Sequence, residues 1–176
     1  IDESFIDFTE KKSYMSLIDK YPIFILRSMT KTYSIPGLRL GYALASKSII
    51  GKLSKFKEPW TINSLALESI GVLLEDDDYI EKTNSWYSEE KLFLKKQLDK
   101  IDNIKVYESE GNFFLCELKN INSKEMKQKL LFKNIYIRTC EDFQGLSDEY
   151  IRLAVRTREE NTLLTKYIDE ILLFQA

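Results

Sequence analysis

Apolar residues recur along this chain with two different periods. Residues 23–26 (IFIL) form a short apolar run, and residues 38–45 (LRLGYALA) alternate as a half-buried strand does. Pro36 and Gly37 between them mark a connection, so two strands joined by a turn are expected here. Helical spacing follows at residues 46–56 through Ile49, Ile50, Leu53 and Phe56, where Gly51 costs about 1 kcal/mol relative to alanine. Residues 64–74 are apolar enough to predict a buried helix. Residues 9–20 are polar, then weakly amphipathic through Tyr14, Leu17 and Ile18, and predict a short helix.

The longest periodic stretch is residues 79–101, with Ile80, Thr83, Tyr87, Leu94, Leu98 and Ile101 on one side and Glu and Lys frequent elsewhere. The acidic run at 75–78 lacks defined metal-ligand spacing but suits a helix start, where Asp side chains satisfy free N–H groups. From Asn103 the texture changes to strands at 104–109, 113–118, 135–140 and 150–155. These alternate with a helix at 123–132, for which Ser123 is a plausible N-cap, and a last helix at 158–174 with Leu163, Leu164, Tyr167, Ile168, Ile171 and Leu172 inward. Two helices with four short strands make a small α+β unit.

Composition narrows the function classes. The 176 residues are 44% hydrophobic and 31% charged, ordinary for a globular chain, and the net charge of −2 gives no electrostatic reason to expect nucleic acid. No apolar run approaches a membrane span. Histidine is absent, so neither a Ser-His-Asp nor a Cys-His mechanism can be assembled from these residues. Cys116 and Cys140 have no metal-like spacing and are expected as buried thiols in a reducing cytoplasm.

Residues 27–42 (RSMTKTYSIPGLRLGY) carry the chemistry, with Ser28, Thr30 and Lys31 on the strand connection and Arg39 eight residues on. An amine beside two hydroxyls and a second cation is what a phosphorylated aldehyde cofactor needs. The lysine can form a Schiff base while the hydroxyls and arginine hold the phosphate. A second pair of cations, Arg138 and Arg152, interrupts two otherwise apolar strands. If Ile137 and Ile151 face the core, alternation turns both arginines the other way, toward one cleft. Solvent-facing strand arginines are the plainer alternative.

The pattern S-x-T-K-x-Y-x-x-P-G-L-R-L-G-Y resembles the lysine motif of fold-type I, pyridoxal-phosphate-dependent aminotransferases of class I/II. It is most similar to the histidinol-phosphate aminotransferase and threonine-phosphate decarboxylase branch. The resemblance implies an α/β fold. Residues 1–76 would be the C-terminal part of the cofactor-binding large domain, 77–102 an interdomain helix, and 103–176 a small α+β C-terminal domain. It places Ile1 at the end of a central strand, with roughly the first half of the enzyme outside this sequence, including the helix N-terminus for the phosphate. On that ground the 176 residues alone are expected to bind pyridoxal phosphate poorly and to be inactive.

By the same resemblance, Lys31 is the Schiff-base lysine and Asp2 pairs with the pyridine nitrogen, while Ser28, Thr30 and Arg39 anchor the phosphate. Phe5 stands where the family often carries a tyrosine that donates to the cofactor's ring oxygen. Arg152, in residues 151–161 (IRLAVRTREEN), matches the arginine that grips the substrate α-carboxylate, and Arg138 its partner for a carboxylate or phosphate. Asn112 resembles a position reaching the substrate, or is a turn asparagine bracing its own backbone. Trp60 and Asn63 resemble a P-W-x-x-N segment near the active site, although a tryptophan after proline is more often packing. The implied protein is a cytoplasmic homodimer acting on an amino acid or phosphorylated amine by transamination. The alternatives are a threonine-phosphate decarboxylase and, in another class, the effector-binding domain of a transcription regulator.

Overall fold

The computed structural model describes residues 1–174. The chain divides into two compact units, Ile1–Thr83 and a second that begins at Asn84.

In the first unit β1 (Phe24–Ser28) pairs antiparallel with β2 (Gly41–Ala45), from Phe24↔Ala45 to Ser28↔Gly41. Directly after β1 the chain makes one helical turn, α1 (Met29–Thr32), before Pro36–Leu38 turns it back as a 3-10 helix. Close pairing requires glycine at position 41, where a Cβ would lie 2.9 Å from the Arg27 carbonyl oxygen. The N-terminal segment joins β1 through an isolated parallel bridge, Asp2↔Leu26. There Leu26 N–H donates to Ile1 O at 3.0 Å and Glu3 N–H to Leu26 O at 2.9 Å. Met29, Leu40 and Ala66 form a small core, against which Tyr33, Ile35, Leu38, Ile70 and Leu73 pack.

Helix α2 (Lys47–Leu53) continues as a 3-10 turn to Phe56, and α3 spans Ser64–Leu74. The expected burial of α3 does not hold. Only Ala66 is buried, while Leu65 and Val72 are 74% and 71% exposed. Its apolar residues run all the way round the helix, and one stripe alone, Ala66, Ile70 and Leu73, meets the core. Trp60 is likewise 97% exposed, with φ 55°, rather than packed. Residues 9–20 yield no α-helix, only a 3-10 turn at Tyr14–Leu17 started by Ser13, whose side chain accepts from Met15 N–H.

Helix α4 (Asp77–Leu98) begins with Asp76 accepting from Tyr79 N–H at 3.0 Å, so the acidic run does cap a helix. The second unit contains a four-stranded antiparallel sheet in the order β3-β4-β6-β5: β3 is Ile104–Val106, β4 Phe113–Leu118, β6 Tyr150–Ala154 and β5 Arg138–Thr139. Alternation is clean. Phe114, Cys116, Leu118, Ile151 and Leu153 are buried, while Phe113, Leu115, Glu117, Tyr150 and Arg152 on the other face are half-buried. Helices α4, α5 (Ser123–Leu131) and α6 (Arg158–Leu173) bury Leu94, Leu98, Met126, Leu130, Leu164, Ile168 and Leu172. Both cysteines are free and buried, and burial pushes the Cys116 thiol up to about 12.

Three details differ from expectation. Helix α5 is capped by Asn122, which accepts from Glu125 N–H at 2.9 Å, and the Ser123 hydroxyl is buried without a hydrogen-bond partner among the described residues. Only two residues of 135–140 pair as a strand. Leu163 is 42% exposed because the inward side of α6 is shared with two polar residues, Asn161 and Thr165. Asn161 faces inward to reach a buried carboxylate: its amide donates to Glu90 Oε2 at 3.1 Å, while Arg158 Nε donates to Glu90 Oε1 at 2.8 Å.

Candidate active site

Lys31 lies on α1, three residues after Ser28, the residue that precedes the helical turn. That spacing puts the two side chains on one side of the turn. The Lys31 Nζ donates to Ser28 Oγ at 3.1 Å, and Ser28 Oγ shares a hydrogen bond with Thr30 Oγ1 at 2.8 Å. Sequence neighbours thus converge into one cluster of an amine and two hydroxyls, all half-buried. The ammonium stands 4.8 Å from the centre of the Phe5 ring.

Asp2 is exposed, and Ser4 N–H donates to its Oδ1 at 2.8 Å. Hydrogen bonds from Ser4, with the Lys31 charge assisting, hold the Asp2 carboxyl below its usual range. Arg39 is exposed and left-handed at φ 55°. Its guanidinium donates only to the Pro36 carbonyl, at 3.2 Å, and pairs with no carboxylate among the described residues.

A primary amine, two hydroxyls, an unpaired guanidinium and an ionised carboxylate, all in one unit, are the donor set that a phosphorylated pyridine aldehyde requires. The residues present fit pyridoxal phosphate. A divalent metal is a poorer match, since the described residues contain no group of three or more His, Cys, Asp or Glu that could hold one.

Sequence reading missed the scaffold around this cluster. Arg27 Nε donates to Glu3 Oε2 at 2.9 Å and its Nη1 to Asp7 Oδ1 at 2.9 Å. The other oxygen of Asp7 accepts from Thr32 Oγ1 at 2.7 Å. Glu3 also accepts from Ser13 Oγ at 2.8 Å and Tyr14 N–H at 2.9 Å. Burial would raise the Glu3 carboxyl, but these donors outweigh it and keep the value low. No local pattern advertises the arrangement, because Glu3 and Arg27 meet only through the bridge between the N-terminal segment and β1. Asn63 has a structural task here. Its side chain accepts from Ala66 N–H to start α3 and donates to the Leu38 carbonyl at 3.0 Å.

In the second unit, Ile137 and Ile151 are buried and both arginines point to the opposite face. Arg138 and Arg152 are direct partners in the β5–β6 register, a closeness that alternation alone did not predict. Arg138 is ion-paired with Asp142 and lies over the Phe143 ring at 5.5 Å. Arg152 has no carboxylate partner among the described residues and lies 4.9 Å from the Phe113 ring centre. Asn112 is half-buried. Its carbonyl accepts from Val155 N–H at 2.9 Å.

Residues 1–168 match the family described as aminotransferase class I and II. A protein of Caldanaerobacter subterraneus named "Putative threonine-phosphate decarboxylase" is 40% identical over 169 residues, covering 93% of this chain and 46% of the relative. The histidinol-phosphate aminotransferase of Methanosphaera stadtmanae is 30% identical over 174 residues, covering 97% and 47%. The solved histidinol-phosphate aminotransferase of Clostridium acetobutylicum superposes with a TM-score of 0.91 at 35% identity, covering 97% of this chain and 53% of that one. The chain therefore spans about half the length of the curated relatives it matches. Both its lysine motif and its course through space place it: the chain belongs to the class I and II aminotransferase family.

Proposed function

We propose that this chain carries the lysine-bearing and anion-binding parts of a pyridoxal-phosphate-dependent transaminase, of the kind that acts on an amino acid or phosphorylated amine such as histidinol phosphate. The observation that carries the reading is the Lys31–Ser28–Thr30 cluster, held on one helical turn in a chain of this family. When bound, pyridoxal phosphate supplies an aldehyde that condenses with amines and a ring that accepts electron density.

The remaining work falls to the residues. Lys31 would hold the cofactor through its Nζ, and as a free amine that nitrogen would serve as the base that takes the proton from the substrate Cα and returns it elsewhere. Ser28, Thr30 and Arg39 hold the phosphate. The Asp2 carboxylate, kept ionised by Ser4, pairs with a protonated ring nitrogen. Arg152 takes the substrate carboxylate through its planar fork, and Arg138 takes a second anionic group. Asn112 offers its side-chain amide to the substrate. Which Cα bond breaks depends on how these groups orient the substrate. The working protein is a homodimer of the cytoplasm.

A second reading, decarboxylation of a threonine-phosphate-like substrate, is favoured by the 40% identity to the Caldanaerobacter protein against 30% to the Methanosphaera one. Incubation with histidinol phosphate and 2-oxoglutarate, followed for glutamate, and with threonine phosphate, followed for CO2, decides between them. In the full-length protein, borohydride reduction in the presence of pyridoxal phosphate should fix a label on Lys31 and not on the Lys31→Ala variant. Equal labelling or full activity of that variant would falsify the reading.

A further inference from the structure

We propose that Arg27 is a positioning residue that fixes the separation of the Asp2 carboxylate from the Lys31 amine, acting through Glu3, Asp7 and Thr32. The proposal rests on the reading of Asp2 and Lys31 as the groups that hold the cofactor at its two ends.

The contacts run in an unbroken series. Glu3, the neighbour of Asp2, accepts from Arg27 Nε at 2.9 Å. Arg27 Nη1 donates to Asp7 at 2.9 Å, and Asp7 accepts from the hydroxyl of Thr32, the neighbour of Lys31, at 2.7 Å. Arg27 sits within β1, so the series is anchored on the strand that pairs with β2. Asp2 itself is exposed, and the backbone of its segment meets β1 through Ile1 N to Phe24 O at 2.8 Å, Leu26 N–H to Ile1 O and Glu3 N–H to Leu26 O, so the side-chain series adds to this pairing.

The side chains of Arg27 and Glu3 are only 13% and 3% exposed, so water does not compete freely for this pair. A guanidinium is the group that can do this, because its fixed fork reaches two carboxylates at once. A lysine in its place is a point charge that satisfies one of them. Thr32 is itself buried, which holds the far end of the series in place. A ligand gripped by both Asp2 and Lys31 gains from having that spacing set beforehand, since misplacement of reacting groups by about 1 Å costs on the order of 100-fold in rate.

The test uses the cofactor-free chain. The Asp2 titration midpoint is followed by carboxyl 13C NMR in the parent, Lys31→Met, Arg27→Gln, Arg27→Lys and Thr32→Val proteins, and in each clamp variant combined with Lys31→Met. Far-UV circular dichroism establishes that each is folded. In the parent background, Lys31→Met should raise the Asp2 midpoint, because the ammonium that favours the carboxylate is gone. In the Arg27→Gln background this response should disappear, and in the Arg27→Lys and Thr32→Val backgrounds it should shrink.

A purely structural or purely charge-based role would leave the Arg27→Lys response whole. Should Arg27→Gln fail to fold, the Arg27→Lys and Thr32→Val proteins carry the test, and an undiminished response in both overturns the proposal. Because no cofactor is present, the outcome is separate from that of the proposed function. If the chain shows the response but the full-length protein never labels Lys31, the enzyme reading is refuted and the clamp is left standing.

Discussion

Arg39 offers a way to separate backbone strain from chemistry. It is a non-glycine residue at φ 55°, a conformation that costs an L-residue roughly 1–2 kcal/mol. Arg39→Gly removes that cost but adds freedom to the unfolded chain, worth about 0.4–1 kcal/mol in the other direction. Arg39→Ala keeps the cost. The side chain itself contributes little to stability, being exposed with one hydrogen bond to the Pro36 carbonyl. The glycine variant should therefore be more stable than the alanine variant by about 1 kcal/mol, read from urea denaturation midpoints.

Binding should not follow stability. Both variants lose the guanidinium, and a charge-assisted hydrogen bond is worth about 1.5–3 kcal/mol, or roughly 10- to 150-fold in affinity. Pyridoxal phosphate titrated into the chain at millimolar concentration and followed by NMR should show both variants weakened by a similar factor. If the glycine variant is the less stable of the two, the strain argument is wrong. If both bind like the parent, the guanidinium does not hold the phosphate. The expected combination, one variant stabilised and both impaired in binding, is what strain retained for function looks like.

Other expectations follow from single contacts. Asn161→Ala removes the donor to Glu90 Oε2, whose other oxygen keeps Arg158, and strands the Arg156 backbone N–H and carbonyl. At about 1–3 kcal/mol for each buried group left unpaired, and with some of these partners part-exposed, a loss of about 2–4 kcal/mol is expected in urea denaturation. A loss below about 1 kcal/mol would show that water replaces the amide. In the capping box at the start of α6, hydrogen bonds from Arg156 and then Thr157 pull the Glu160 carboxyl down to about 2. A lowered native value gives stability that is present above its ordinary 4.5 and lost as pH falls toward 2, so Glu160→Gln should lose less stability across that window than the parent. An identical pH profile for the two would remove Glu160 from the account. Finally, the 176 residues alone should take up pyridoxal phosphate weakly, and a strong absorbance near roughly 420 nm that borohydride fixes onto Lys31 would contradict this.

What could be read from sequence was what is local. Ser28, Thr30 and Lys31 are within one turn of each other, so their convergence needed only the connection between two strands. Alternation put Arg138 and Arg152 on the open face of their sheet, because a strand's period of two is insensitive to the rest of the fold. Their direct opposition depends on strand register, which no single strand encodes. The cover over α3 was misjudged because apolar content tells how much surface could be buried and not what lies against it. Ser123 lost the cap to Asn122 by one residue, since both types accept equally well from a free N–H. The Glu3–Arg27–Asp7–Thr32 series was invisible for a deeper reason. Its members lie up to 29 positions apart in the numbering, and their charges look like solvated surface until Asp2 bridges to Leu26.

The opposition of Arg138 and Arg152 also bears on how long the protein survives. Like charges directly opposite in a sheet repel, and among the described residues only one of the two has a carboxylate to offset it. An oxyanion that bridges both relieves that repulsion in the folded chain and has no such site in the unfolded one. By mass action it stabilises the fold by about 2.7 kcal/mol at a concentration 100 times its dissociation constant. Proteases sample the unfolded fraction, which that stabilisation shrinks roughly 100-fold. On the proposed anion-binding role of Arg138 and Arg152, an added oxyanion should therefore slow proteolysis of the chain in proportion to its occupancy.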